Sequence, residues 1–141
     1  MSNLDKFAAA INCIDGRVQA AVAEWMKLHA EVQYVDMITE PGVDKVISNR
    51  NMQKTVPIAE KLRISVNAHG SSAVAIVGHF DCAANPVSSD EHKIQIEESV
   101  EIIRSWDSNM RVVGIYVNEW SAIDVIYDTK EENFQELNSF L

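Results

Sequence analysis

The chain holds 2 cysteines, and each lies in a short polar cluster. The first cluster reads Cys13-Ile14-Asp15-Gly16-Arg17, the second His79-Phe80-Asp81-Cys82. Together they offer two thiolates and one imidazole, with a carboxylate and a guanidinium beside them. Thiolate sulfur and imidazole nitrogen are preferred ligands of Zn²⁺. Three protein ligands leave one position of a tetrahedral ion open, and an open position marks a catalytic zinc rather than a structural one. The H-x-x-C spacing lets His79 and Cys82 reach one ion from a single turn. The plainer reading of a lone cysteine is a small buried hydrophobe. That reading leaves Asp15, Arg17 and His79 without a reason. A Cys13–Cys82 disulfide is disfavoured in a reducing compartment.

Asp15 and Arg17 lie two apart in a turn and can project to one side. An arginine keeps a neighbouring carboxylate ionised and fixes its orientation. Beside a water activated by a metal, that carboxylate could accept the water's hydrogen bond. The alternative is a helix N-cap aspartate with a solvated arginine, since a helix follows directly. Asp81 stands between His79 and Cys82 and either supports the ligands or faces solvent. The remaining histidines, His29, His69 and His92, read as surface or helix-end residues rather than proton carriers.

These clusters need elements to position them. The apolar run Lys6–Cys13 predicts a buried strand. Val18, Val22, Trp25, Met26 and Leu28 share a broad face, which predicts a helix over Val18–Ala30. Glu31–Thr39 is strand-like and stops at Glu40-Pro41-Gly42. A short helical turn is expected over Asp44–Ser48. A longer helix is expected over Thr55–Ala68, with Pro57 in its first turn and Gly70 as its stop. Gly70-Ser71-Ser72 precedes a strand rather than opening a helix, so it is not a phosphate loop. Ser72–Gly78 is apolar throughout, as a fully buried central strand should be. Ser88 begins a cap for a helix over Glu91–Ser105, and Arg111–Val117 is a further strand. Asn118–Ser121 forms a turn into Ala122–Tyr127, and an amphipathic tail over Glu131–Leu141 suits a terminal helix. Strands alternating with helices predict an α/β fold, a mainly parallel sheet flanked by helices with one antiparallel edge strand. Both clusters then fall just past the carboxyl ends of parallel strands, where open α/β sheets form their sites.

A length of 141 residues argues for one domain over 1–141, large enough to bury a core without staples. The net charge of −9, with 21 acidic against 12 basic residues and no basic cluster, argues against a nucleic-acid partner. No run approaches the ~20 apolar residues of a membrane span. No secretory signal and no disulfide framework are legible, which points to a soluble, cytoplasmic protein.

Cys13-x-Asp15-x-Arg17 followed by His79-x-x-Cys82 resembles the β-class carbonic anhydrases, and the similarity extends from about Phe7 to Tyr127. The resemblance implies Cys13, His79 and Cys82 as zinc ligands and Asp15 and Arg17 as the catalytic dyad that orients a zinc-bound hydroxide. In some members the matching aspartate instead takes the fourth zinc position and leaves its arginine. The implied reaction is hydration of CO₂ to bicarbonate in a homodimer or a higher multiple. The same fold and ligand set also resemble carbonyl sulfide and carbon disulfide hydrolases. This chain departs from the family pattern at Ile38-Thr39-Glu40-Pro41-Gly42, where an Arg-Asn-Ala-Gly segment is usual, and at Ala83-Ala84, where glycine usually follows the second cysteine. Those departures keep open a third reading, a zinc-binding domain without catalysis.

Overall fold

The computed structural model describes residues 5–131. Strands β1 (Phe7–Asn12), β2 (Tyr34–Thr39), β3 (Ala73–His79), β4 (Arg111–Val117) and β5 (Ile123–Asp128) form one sheet. Helices α1 (Gly16–His29), α2 (Val43–Ser48), α3 (Met52–His69) and α4 (Ser89–Arg104) connect them. The strand order is β2-β1-β3-β4-β5. The first four strands pair in parallel, and β5 runs antiparallel to β4. The α/β class and the antiparallel edge strand expected from the sequence are both present.

Side-chain periodicity sorts the helices onto two faces. Every residue of β3 is buried, because both faces of this central strand are covered. On one face, Val18, Val22 and Met26 of α1 pack against Ala8, Ala10, Ala75 and Val77. On the other, α2, α3 and α4 bring Ile47, Ile58, Leu62, Val100 and Ile103 onto Ile11, Val74, Ile76 and Val112. The buried stripes are narrower than the sequence suggests. Leu28 is 74% exposed and Ile64 64%, since both project from the outer side of their helices.

The helix ends follow side-chain chemistry. Ser88 caps α4 by accepting a hydrogen bond from the Glu91 amide at 3.2 Å. Gly70 takes the left-handed conformation that closes α3. Helix α3 starts earlier than expected, because Asn51 caps it by accepting from the Lys54 amide. Pro57 therefore lies inside the helix rather than in its first turn. Its missing N–H deprives the Gln53 carbonyl of a partner, and Gln53 is exposed to water, which can serve instead. Beyond Glu131, the expected terminal helix lies outside the described residues.

Gly114 permits the close approach of α4 to the sheet. A Cβ there would stand 2.5 Å from Ile96 Cγ2 and 2.9 Å from Val100 Cγ2. At the other end of β4, Arg111 grips Asp128 of β5 through Nε (3.1 Å) and a terminal nitrogen (2.8 Å). It also donates to the His29 carbonyl at the end of α1 (3.1 Å). Burial alone would raise the Asp128 carboxyl, but the Arg111 hydrogen bonds outweigh it and the net shift is downward.

Two outcomes follow from this packing. Gly114→Ala overpacks the interface of α4 with β4 and lowers stability by about 1–3 kcal/mol, read by denaturant unfolding. Asp128 favours its ionised form in the fold, so its contribution is present above the ordinary carboxylate range and is lost as pH falls through the depressed folded value. Asp128→Asn lowers the melting temperature at neutral pH and narrows the gap to the parent protein as pH falls.

Candidate metal centre

The strand order dictates where a site can form. From β1 the chain moves to β2 on one side, and from β3 it moves to β4 on the other. The carboxyl ends of β1 and β3 therefore flank a crevice, because the connections that leave these two strands diverge. Cys13 follows the last residue of β1, and His79 is the last residue of β3. These strands are adjacent and parallel, with Ile11 opposite Ile76. Residues 66 apart in sequence thus meet at one edge of the sheet.

Cys82 is brought back by a tight turn. Asp81 adopts a left-handed backbone conformation with φ of 47°. Aspartate tolerates this region better than most residues. The turn folds Cys82 onto His79, and the ligating atoms of Cys13, His79 and Cys82 lie within 4.8 Å of one another. All three residues are buried.

Cys13 is held from both sides. Its amide donates to the Asn12 side chain at 2.8 Å, and its carbonyl accepts from Gln19 at 3.1 Å. His79 Nδ1 donates to the Phe80 carbonyl at 2.7 Å. A carbonyl only accepts, so Nδ1 carries the hydrogen and Nε2 keeps its lone pair. Nε2 is buried and has no hydrogen-bond partner among the described residues. Burial also lowers the His79 pKa, which favours the neutral imidazole that a metal requires. Burial, with Cys13 next in effect, pushes the Cys82 thiol up. The Cys82 thiol therefore resists ionisation unless a cation joins it, and a coordinated thiol is deprotonated outright. An orphaned imidazole lone pair between two thiols fits a zinc ion.

Asp15 and Arg17 sit beside this group. Asp15 caps α1, accepting from the Arg17 amide at 2.9 Å. The Arg17 guanidinium also clasps the carboxylate, at 3.1 Å from Nε and 2.7 Å from a terminal nitrogen. The two sequence readings of this pair are therefore compatible, because one carboxylate does both. The Arg17 hydrogen bonds hold the Asp15 pKa down to about 2. Asp15 is not among the clustered ligating atoms, and it keeps its arginine. Arg17 is fixed in turn by the Asp81 carbonyl (3.2 Å), the Asp81 carboxylate (3.3 Å) and the face of Phe80, 4.7 Å from the ring centre. Asp81 thus faces solvent and steadies Arg17.

Of the other histidines, His29 and His69 end their helices as expected. His92 does not lie at the surface. It is 1% exposed and donates from Nδ1 to Asp44 at 2.6 Å. Asn85 and Gln95 complete this buried cluster. Sequence reasoning missed Asp44 and Asn85. The usable signal was polarity inside short segments rich in apolar neighbours.

The chain matches the profile of the family described as "Putative carbonic anhydrase" over residues 3–127. No curated protein sequence matches it significantly. Among solved structures, the fold is similar to a β-carbonic anhydrase from Trichomonas vaginalis, with 16% identity, a TM-score of 0.58 and coverage of 91% of this chain and 88% of the other. It is also similar to tetrameric β-carbonic anhydrases from Sordaria macrospora, with 11% identity, a TM-score of 0.54 and coverage of 88% and 81%. A third similar structure is a β-carbonic anhydrase from Aspergillus fumigatus, with 14% identity, a TM-score of 0.53 and coverage of 97% and 83%. On the family match, the sheet order and the Cys–His–Cys group, the chain belongs to the β-class carbonic anhydrase family as a divergent member.

Proposed function

We infer that the protein hydrates carbon dioxide to bicarbonate, with zinc held by Cys13, His79 and Cys82. The observation that carries this reading is the unpartnered Nε2 of buried His79 beside two thiols, next to a carboxylate kept ionised by Arg17. Zinc with three protein ligands supplies Lewis acidity at an open position and lowers the pKa of water there to about 7.

The chain's own groups do the rest. His79 presents Nε2 because the Phe80 carbonyl fixes its tautomer. Asp15 stays ionised, so it can only accept hydrogen bonds. It accepts a hydrogen bond from an attacking hydroxide, which keeps its hydrogen, and so leaves the oxygen lone pair free for the carbon of CO₂. That lone pair forms the new C–O bond, one C=O electron pair moves onto oxygen, and bicarbonate results. Arg17 keeps the Asp15 carboxylate in one orientation through two parallel hydrogen bonds, a stronger restraint than a single contact.

The assembly is read as a homodimer or a higher multiple. Two features support it: the tetrameric relatives from Sordaria macrospora, and the exposed Trp120 and Val125 at the β5 edge. Two free cysteines suit a reducing, cytoplasmic setting. Among the described residues no helix is long and apolar enough to cross a membrane.

Metal analysis of protein purified under reducing conditions should give one zinc per chain, lost in Cys82→Ser. Stopped-flow hydration of CO₂ should accompany it, with carbonyl sulfide as the comparison substrate. Zinc at full occupancy with no turnover of CO₂ would overturn the proposed reaction while keeping the site. Asp15→Asn should lower turnover ~10–100-fold. With its pKa near 2, Asp15 does not titrate in the neutral range, so this loss should be uniform across that range rather than shift its inflection.

A further inference from the structure

A second polar cluster lies directly behind the metal centre, buried under the sheet face that carries α2 and α4. Asp44, in the first turn of α2, is 1% exposed. Its carboxylate accepts from His92 Nδ1 (2.6 Å), Asn85 Nδ2 (2.9 Å) and the Lys45 amide (3.1 Å). Asn85 also donates to Gln95 at 2.7 Å, and Ser99 donates to the Asp44 carbonyl at 3.2 Å. The cluster replaces apolar packing in a layer otherwise filled by isoleucine, valine and leucine.

Stability alone does not account for it. A buried ionic group is often matched or bettered by apolar residues of similar volume. This cluster also leaves His92 Nε2 and Asn85 Oδ1 buried without a partner among the described residues. A partly satisfied network is a poorer source of stability than an apolar core. What the cluster does achieve is positional. Asn85 stands three residues after Cys82, and its amide donates to the Cys82 carbonyl at 3.2 Å. Its side chain fastens that turn to Asp44. The approach is close on two sides. A Cβ on Gly78, the residue before His79, would stand 2.6 Å from Asp44 Oδ2. A Cβ on Gly42, two residues before Asp44, would stand 3.0 Å from the Ala84 carbonyl oxygen. Asp44 therefore abuts the strand end that carries His79 and anchors the turn that carries Cys82.

We propose that Asp44 is a positioning residue of the metal centre: through Asn85 it fixes the turn from Phe80 to Asn85 and sets the direction from which Cys82 meets the ion. This rests on the reading of Cys13, His79 and Cys82 as metal ligands. His92 holds the second oxygen of the carboxylate, so Asp44 has one orientation available. Partners outside the ligand shell commonly change metal affinity ~10–100-fold when removed.

The test uses Co²⁺ as the probe, because its visible bands report the geometry of a thiolate site. The parent protein, Asp44→Asn, Asn85→Ala and Asp36→Asn are compared in the full chain, reduced and metal-free. Asp36 serves as the control. Its carboxylate is also held by neighbours, Ser65 at 2.7 Å and His69 at 2.6 Å, but it lies on edge strand β2, away from the ligands. Folding is checked by circular dichroism, and affinity by competition with a coloured chelator. Asp44→Asn and Asn85→Ala should bind Co²⁺ ~10–100-fold more weakly and with altered bands, while Asp36→Asn binds as the parent does. Should Asp44→Asn fail to fold, Asn85→Ala decides, since it keeps the pair of Asp44 with His92. Parent-like affinity and bands in either folded variant would overturn the proposal. Equal weakening in Asp36→Asn would overturn it too, by showing a general loss of stability. Absence of Co²⁺ binding by the parent protein itself would instead reject the metal reading, and this proposal with it.

Discussion

The carboxyl edge of the sheet between β1 and β3 is the constraint on which the rest of the structure depends. Parallel strands place their carboxyl ends side by side, and the chain leaves β1 and β3 in opposite directions. That divergence opens a crevice with backbone on both flanks. A soft cation needs ligands from separate segments held at short range, and this edge supplies them from Cys13 and His79 with no long loop. The small residues of β1, Ala8, Ala9 and Ala10, let both helical layers approach the strand that leads into Cys13.

Electrostatics at the site are arranged by exposure. Cys13, His79 and Cys82 are buried, where a charge without a partner would be costly. The dyad beside them is only partly covered, with Arg17 half exposed. Arg17 reaches Asp15 from its own turn and the Phe80-Asp81 turn from across the crevice. One guanidinium thus joins the segment after β1 to the segment after β3. Its five donors in a fixed fork suit that task better than a single ammonium could.

The face behind the site is built differently from the face with α1. Under α1 the buried packing is made by apolar side chains, with Val18, Val22 and Met26 against the sheet. Under α2 and α4, the end of the layer nearest the ligands is polar, with Asp44, Asn85, His92 and Gln95 in place of hydrophobic side chains. Apolar contacts are non-directional, whereas hydrogen bonds fix angle and distance. Polar packing is therefore found where a turn must be held in one pose, and apolar packing where area removed from water is enough.

The sequence by itself determined the elements and singled out the Cys13, His79 and Cys82 group that the fold brings together. Hydrophobic period separated β3 from its flanking helices, since an unbroken apolar run differs from an i, i+4 stripe. Arg111–Val117 has the bounds its residues suggest. Cys13, His79 and Cys82 were legible because their chemistry is rare and their spacing is local. Element edges were less legible, as Asn51 and Pro57 show, because a side-chain cap outweighs a proline preference once the backbone carbonyl can reach water. Tertiary structure alone decided what lies behind the site. Asp44, Asn85 and His92 are distant along the chain and ordinary in composition, and His92 reads as a surface residue until α4 is laid on the sheet. Their roles depend on which faces meet, and that is fixed by strand order and by the missing side chains of Gly78 and Gly42. Local patterns carry information about local structure, and the long-range pairing of polar groups exists only after the layers have packed.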